Sequence, residues 1–171
     1  MHIRDATLAD LDALVALENR CFVEDRISRR QFRHLLNKGH AALFVAEEGT
    51  GLLGSLVLLF SRGTATARLY SIAVAPEARG RGVARALVER AEQEAWRHER
   101  TWMRLEIRKD NDASIGLFEA MGYRRFGIHV DYYADNMDAW RYEKALDDRL
   151  KPDLDRVAWY EQTLDLKSLD V

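Results

Sequence analysis

The sequence predicts an α/β fold for most of its 171 residues. Three observations support this class: pairs of strands joined by short polar turns, one buried strand that runs through glycines into a helix, and helical periodicity between the remaining strands. In chain order the segments are β-α-α-β-β-β-α-β-α-β-β. With 47% hydrophobic residues, a chain of this length can bury one sizeable core.

The first half of the chain contains four predicted strands and two predicted helices. Each helix begins at a capping box, Thr7-x-x-Asp10 for the first and Ser28-x-x-Gln31 for the second. The first helix ends at Cys21, a thiol that we expect to be buried and inert. The predicted strands are His2–Arg4, Ala41–Glu47, Leu52–Phe60 and Ala67–Val74.

The second half continues the alternation. A helix with Val83 and Leu87 on its apolar face is followed by the alternating strand Thr101–Arg108, and a further helix starts near Asn111 and ends at Gly122. Two antiparallel strands, Tyr123–Tyr133 and Asp138–Leu146, are predicted across a short loop. We expect residues 1–147 to form the domain and residues 148–171 to be a C-terminal appendage, whose role stays open.

Composition excludes several classes of protein. The net charge of −2 argues against a protein that coats nucleic acid. One cysteine excludes an internal disulfide and suits a reducing compartment. Because neither a signal peptide nor a membrane span is recognisable, we expect a cytoplasmic protein without a membrane partner. The five histidines show no metal-ligand spacing, so no metal is expected.

The turn after Val74 has an unusual distribution of charge. Helix starts normally favour Asp or Glu, but here Arg79, Arg81 and Arg85 come first and the first acid is Glu89. Free N–H groups, the helix dipole and arginines together suit a phosphate-bearing ligand. A glycine-containing turn with solvated arginines remains the alternative. The P-loop and dinucleotide-binding patterns both fail in this segment.

The segment Arg79-x-x-Gly82-x-Ala84 resembles the acyl-CoA pyrophosphate loop of the GNAT family of N-acetyltransferases. The resemblance covers roughly residues 1–147. It implies a mixed, largely antiparallel sheet flanked by about four helices, and acetyl-CoA as the acyl donor. It also implies that the strand at residues 72–74 splays from Thr101–Arg108 and so admits the pantetheine arm. The residues that it implies for the cofactor are Ile72, Ala73, Val74, Arg79, Gly80, Arg81, Gly82, Val83, Ala84, Arg85, Asn111 and Phe118.

Glu106 is the candidate general base. On the residues alone, a solvated, salt-bridged glutamate on a half-exposed strand is the favoured explanation. However, Leu105-Glu106-Ile107-Arg108 with Asn111 is similar to the matching stretch of bacterial ribosomal-protein-alanine N-acetyltransferases. That similarity implies that Glu106 removes the amine proton, through water, and that Asn111 contacts the cofactor.

The family's general acid is missing from its usual position. The tyrosine that protonates the leaving thiolate in the family falls at Phe118, which has no proton to give. Three explanations are open: another tyrosine protonates the thiolate, water protonates it, or the domain has weak activity. The resemblance favours Tyr132 and Tyr133 as substitutes, because Asp131-Tyr132-Tyr133 matches a tyrosine pair in those enzymes, whereas we expect Tyr123 to be a packing residue.

These features predict an enzyme that acetylates a primary amine, with the N-terminal α-amine of a protein or peptide as the expected acceptor. A small-amine acetyltransferase and a catalytically weak acyl-CoA-binding module are the alternatives. Two acidic loops favour a cationic acceptor, although solvated loop charges explain them as well. The sequence leaves open whether the protein forms a homodimer. The loop acids are Glu24, Asp25, Asp131, Asp135 and Asp138.

Overall fold

A computed structural model describes residues 1–37 and 39–146 of the protein. The predicted order of elements is confirmed throughout this range. The strands are β1 (His2–Asp5), β2 (Ala41–Glu48), β3 (Gly51–Phe60), β4 (Thr66–Val74), β5 (Trp102–Arg108), β6 (Arg124–His129) and β7 (Ala139–Ala145). The helices are α1 (Leu11–Cys21), α2 (Arg29–Asn37), α3 (Val83–Arg97) and α4 (Asp112–Ala120).

The strands of the described residues form one mixed sheet in the order β1-β2-β3-β4-β5-β7-β6. Adjacent strands are antiparallel except β4 and β5, which are parallel. The helix α3 connects this parallel pair, as the crossover between parallel strands requires. The structure therefore confirms the mixed, largely antiparallel sheet that the sequence predicts.

Both predicted capping boxes are present. The Ser28 N–H donates to Gln31 Oε1 at 2.8 Å, and the Gln31 N–H donates to Ser28 Oγ at 3.2 Å. The Thr7 box differs from the prediction because it opens a short 3-10 turn, Leu8–Asp10, before α1 begins. Since this turn precedes α1, Leu8 stays exposed and does not join the apolar face of the helix.

Two apolar clusters cover the two faces of the sheet. On one face α3 packs through Leu87, Val88 and Ala91 into the main cluster, which also contains Phe44 and Leu58. On the other face α1 and α2 form a smaller cluster over β2 and β3, which includes Leu14, Phe32, Val45 and Val57. The alternation of β2 explains this division, because successive side chains of a strand point to opposite faces.

Gly54 allows α3 to approach the sheet closely. A Cβ atom at this position would lie 2.9 Å from the Ala73 carbonyl oxygen and 2.9 Å from Val83 Cγ1. Contacts that short do not occur, so only glycine fits without displacing α3. Gly54 thereby sets the height of the helix start above the sheet.

The predicted strands Tyr123–Tyr133 and Asp138–Leu146 were too long, and the loop between them too short. Strand β6 ends at His129, and β7 begins at Ala139. Asp131 and Asn136 have φ angles of 53° and 65°, a left-handed conformation that cannot continue a strand. Tyr132 and Tyr133 therefore lie in the connection between β6 and β7.

Two of the expectations from the sequence concern a membrane span and the C-terminal residues. None of the helices in residues 1–37 and 39–146 is long and apolar enough to cross a membrane. The proposed appendage, residues 148–171, lies outside the described residues.

Candidate active site

The parallel strands β4 and β5 separate after a short contact. Their ladder comprises the pairs Thr66–Trp102, Ala67–Met103 and Arg68–Arg104. Beyond Arg68, β4 continues to Val74 while remaining paired with β3 on its other side. Ile72, Ala73 and Val74 therefore lie where the two strands have parted, which is the splay that the sequence resemblance implied.

The turn that joins β4 to α3 has the backbone that an anion site needs. Gly80 and Gly82 have φ angles of 77° and 79°, which residues with a Cβ rarely adopt. The Ala86 N–H donates to the Gly82 carbonyl to close the first helical turn. The N–H groups of Val83, Ala84 and Arg85 precede that bond and are left for another acceptor. Because the first turn contains no acid, the dipole there is not offset by a carboxylate.

The arginines of this turn are largely exposed. Arg81 Nη2 donates to Glu48 Oε2 at 2.7 Å, and Arg85 Nε donates to Glu89 Oε1 at 3.3 Å. The side chains in both pairs are about half exposed, between 46% and 55%. Exposed ion pairs contribute little to stability. These guanidinium groups can therefore leave their carboxylate partners and bind a phosphate with little loss of folding free energy. Arg79 is also exposed.

Glu106 lies two residues beyond the last β4–β5 pair, at the point where the strands part. Arg68 holds its carboxylate: Arg68 Nε donates to Glu106 Oε2 at 3.1 Å. The Glu106 side chain is 13% exposed, compared with 40% for Arg68. The carboxylate is therefore mostly enclosed, and its hydrogen bond with Arg68 fixes its orientation.

The same guanidinium group binds a tyrosine. Arg68 Nη2 donates to the Tyr132 hydroxyl oxygen at 2.6 Å, so Glu106, Arg68 and Tyr132 form one hydrogen-bonded group. Burial and the neighbouring Glu106 carboxylate raise the pKa of Tyr132. Burial, with smaller contributions from Tyr132 and Glu106, raises the pKa of Tyr133 to about 12. Both phenols therefore keep their protons at neutral pH.

The two acidic loops meet beside this group. The Ala134 N–H donates to Asp25 Oδ2 at 3.2 Å, which joins the α1–α2 loop to the β6–β7 connection. Asp135 is paired with Arg108, and Asp138 accepts from the Asp131 N–H at 3.0 Å. These carboxylates hold the loops together, and Asp135 is the one of the three that is paired with a cation.

Asn111 and Phe118 have structural roles in the described residues. Asn111 caps α4, with its Oδ1 accepting from the Ser114 N–H at 3.1 Å. Phe118 is 1% exposed and belongs to the main apolar cluster. That cluster contains Leu105 and Ile107, whose side chains point to the opposite face of β5 from Glu106.

Tyr123 is a packing residue, as predicted. It is 2% exposed, and its hydroxyl donates to Glu92 Oε1 at 3.1 Å. Cys21 is half-buried, and its thiol donates to the Val74 carbonyl at 3.4 Å. Burial raises the pKa of this thiol, which agrees with an inert cysteine. The described residues contain no group of three His, Cys, Asp or Glu that could hold a metal ion.

Sequence reasoning missed Arg68 and Glu18. Arg68 is a charged residue inside a strand that otherwise alternates around an apolar face, which was a usable signal. Glu18 is 2% exposed at the C-terminal half of α1, and its Oε1 accepts from the Ile27 N–H at 2.9 Å. This bond fixes the course of the loop that carries Asp25. A glutamate in a helix gives no such signal, because its partner depends on how the loop folds.

Comparison with known proteins identifies the class. The model of the acetyltransferase (GNAT) family matches residues 11–123, which includes the glycine turn and Glu106. The chain belongs to the GNAT family of acetyltransferases.

Three relatives illustrate the similarity. An N-alpha-acetyltransferase of Sulfurisphaera tokodaii is 28% identical over 81% of this chain and 89% of the relative. The catalytic subunit of the N-terminal acetyltransferase A complex of Arabidopsis thaliana is 30% identical over 84% of this chain and 77% of the relative. A crystal structure of a ribosomal-protein-alanine N-acetyltransferase from Brucella melitensis matches with a TM-score of 0.73 and 25% identity, over 85% of this chain and 99% of that one.

Proposed function

We propose that this protein transfers the acetyl group of acetyl-CoA to the N-terminal α-amine of a protein or peptide. The observation that carries the proposal is Glu106, an enclosed carboxylate held by Arg68 where β4 and β5 part. Several relatives are named for acetylation of protein N-termini or of a ribosomal-protein alanine, which supports the same acceptor class.

The donor binds along the parted strands in this proposal. Its pyrophosphate accepts hydrogen bonds at the start of α3, where Val83, Ala84 and Arg85 leave N–H groups available. The pantetheine arm runs along Ile72, Ala73 and Val74. Asn111 and Phe118 are the further cofactor contacts that the family resemblance implies. Arg79, Arg81 and Arg85 add positive charge around the phosphates.

The reaction is a direct transfer in a ternary complex. The acceptor nitrogen attacks the thioester carbonyl carbon, the C–S bond breaks, and a proton from the amine passes to Glu106, directly or through water. The positive charge of Arg68 offsets the negative charge of Glu106, which by itself would favour the ammonium form of a bound amine. Correct placement of the two substrates supplies much of the rate.

The leaving thiolate takes its proton from a tyrosine or from water. Tyr132 is the better candidate than Tyr133, because its hydroxyl oxygen belongs to the Glu106–Arg68 group and accepts from Arg68, which leaves its own proton free to be donated. Tyr133 contacts the Arg108 guanidinium with its ring, 5.4 Å from the centroid. A free thiol has a pKa of about 8.5, so departure without a perfect acid remains feasible.

The first test uses the full chain, acetyl-CoA and short lysine-containing peptides, half of them with blocked N-termini. Intact-mass detection is expected to find transfer only to free N-termini. Transfer to blocked peptides as well would identify a lysine side chain as the acceptor. Acetyl-CoA binding without transfer to any peptide would contradict the proposal and favour a small amine or a binding module.

The second test replaces the proposed base. Glu106→Gln keeps the shape of the side chain, so we expect unchanged acetyl-CoA affinity and a loss of kcat of about a hundredfold or more. Glu99→Gln, an exposed position after α3, is the matched control and should keep full activity. An unchanged kcat for Glu106→Gln would remove Glu106 from the mechanism.

A catalytically weak acyl-CoA-binding module is the second candidate. It is favoured by Phe118, which is buried and lacks the hydroxyl of the family tyrosine. A module of this kind would bind acetyl-CoA but acetylate neither peptides nor small amines.

A further inference from the structure

The face of the sheet that carries Glu106 exposes guanidinium groups and buries the carboxylates that pair with them. Arg104 Nε donates to Glu143 Oε2 at 2.8 Å, yet the Arg104 side chain is 40% exposed and the Glu143 side chain only 2%. Arg68 and Glu106 show the same asymmetry, with 40% and 13%. A ligand that approaches this face therefore meets positive charge first.

Arg141 adds a guanidinium group with an unsatisfied donor. It lies directly opposite Glu106 in the β5–β7 ladder. Its Nε is buried without a hydrogen-bond partner, and no ion pair joins it to another residue of the described part of the chain. Unsatisfied buried donors are rare, and a bound ligand is one explanation for them.

Phe126 supports the two cations that lie beside Glu106. The guanidinium carbon of Arg104 is 4.8 Å from the centroid of the Phe126 ring, and that of Arg141 is 4.7 Å from it. Cation–π contacts of this length restrict where a guanidinium group can lie. We call Arg104, Arg141 and Phe126 the arginine platform.

The arginine platform is within reach of an acceptor chain whose amine lies at Glu106. Successive residues of an extended chain are at most about 3.5 Å apart, and neighbouring strands are about 4.8 Å apart. The second and third residues of such an acceptor are therefore long enough to reach β7, where Arg141 lies opposite Glu106. Among the loop acids, Asp135 is neutralised by Arg108, whereas Asp25 and Asp138 accept backbone N–H groups that fix them within the loops.

We propose that the acceptor is an acidic N-terminus: a polypeptide with carboxylate side chains at the second and third positions, which bind the arginine platform. The inference rests on the proposed function, since it assumes that an α-amine is acetylated at Glu106. It differs from the cationic acceptor that the loop composition favours in the sequence. Arg141 is partly exposed, so a carboxylate of the acceptor can pair with its guanidinium group.

The experiment compares three peptides that share a free N-terminal residue and carry Glu, Gln or Lys at positions two and three. For the full wild-type chain we expect kcat/KM to be highest with Glu and lowest with Lys, with roughly a tenfold difference between Glu and Gln. The difference should lie in KM, because the platform does not touch the reacting atoms. It should shrink as ionic strength rises.

Two variants identify the residue responsible. Arg141→Gln should reduce the ratio between the Glu and Gln peptides, and Arg141→Glu should reverse the preference towards the Lys peptide. Arg97→Gln removes the same charge from the last turn of α3 and should keep the wild-type preference. Unchanged acetyl-CoA affinity in each variant shows that the fold is intact.

The outcomes separate the two proposals. Equal rates for the three peptides, or a preference for Lys, would overturn the acidic acceptor and leave the proposed function standing. Failure to acetylate any free N-terminus would overturn both. A charge preference that survives both Arg141 variants would remove Arg141 from acceptor binding.

Discussion

At the scale of single residues, Phe118 lies where the family resemblance implies a tyrosine. Phe118 packs edge-on against Tyr123, with ring centroids 5.2 Å apart, and cannot donate a proton. The Tyr132 hydroxyl, by contrast, is bound to Arg68 beside Glu106. In our proposal Tyr132 is the acid, so the proton donor lies in the β6–β7 connection and not in α4, where the family resemblance implies it.

A double substitution tests this exchange. We expect Tyr132→Phe to lower kcat at least about tenfold, because general acid catalysis is lost. Adding Phe118→Tyr should restore part of that loss, by returning a hydroxyl to the position of the family tyrosine. Steady-state kinetics on the best peptide measures both effects.

Tyr70→Phe is a suitable control, since Tyr70 is an exposed tyrosine on β4 next to the same arginine. The centroid of its ring is 5.7 Å from the Arg68 guanidinium carbon. It should retain wild-type activity. A kcat that Tyr132→Phe leaves unchanged would remove Tyr132 as the acid and leave Tyr133 or water as the proton donor.

At the scale of elements, the start of α3 depends on a glycine in a neighbouring strand. The glycines of the turn itself provide the positive φ angles, and the motif already announces them. Gly54 acts differently, because it lets α3 come down onto β3 and β4. Its role follows from an approach between elements that are distant in the chain.

We therefore expect Gly54→Ala to lower the free energy of unfolding by about 1–3 kcal/mol through overpacking, and to weaken acetyl-CoA binding. The new methyl group must displace either Val83 or the Ala73 carbonyl, and both border the proposed cofactor site. Urea unfolding and calorimetric titration of acetyl-CoA measure the two effects.

Gly116→Ala is the matched control in α4. No atom lies within 4 Å of a Cβ at that position, and alanine is the better helix former by about 1 kcal/mol. This variant should be more stable than wild type and bind acetyl-CoA normally. Equal effects of the two substitutions would contradict the packing role of Gly54.

At the scale of the whole molecule, one arginine joins three elements at the N-terminal edge of the sheet. From β1, Arg4 donates through both Nη atoms to the Asp10 carboxylate at 2.8 Å, and through Nη2 to Glu47 Oε2 on β2 at 3.0 Å. The Thr7 N–H also donates to Asp10 at 2.8 Å. Asp10 thus connects the start of the helical layer to the sheet.

These bonds make stability depend on pH. The hydrogen bonds from Arg4 hold the pKa of Asp10 below its ordinary value, and they outweigh the opposing effect of burial. The stabilisation is therefore complete above the unfolded pKa, about 3.9, and is lost as the pH falls through the lower folded pKa. We expect Asp10→Asn to lower the free energy of unfolding by about 1–3 kcal/mol at pH 7 and by less at pH 3.

Urea unfolding of both proteins at several pH values checks this prediction. Asp12→Asn serves as the control, because the Asp12 side chain is 87% exposed in its pair with Arg29 and should change stability by less than about 1 kcal/mol. A difference between wild type and Asp10→Asn that is equal at pH 7 and pH 3 would rule out the carboxylate as its cause.

The sequence by itself determined the features that depend on local physics. Capping boxes, strand alternation and the glycine turn are recognisable within a few residues, so the order of elements and the turn before α3 could be predicted. The strands before and after the β6–β7 connection were misjudged, since the aromatic pattern continues through Tyr132 while the backbone turns at Asp131.

Only the tertiary structure decided which side chains meet. Arg68 and Glu106 are 38 residues apart, and Arg68 and Tyr132 are 64 apart. Their contact follows from the parting of β4 and β5 and from the turn at Asp131. The exposed positive charge beside Glu106 has the same origin, because it depends on which member of each ion pair is buried. Burial is a property of the assembled sheet, and no short stretch of sequence specifies it.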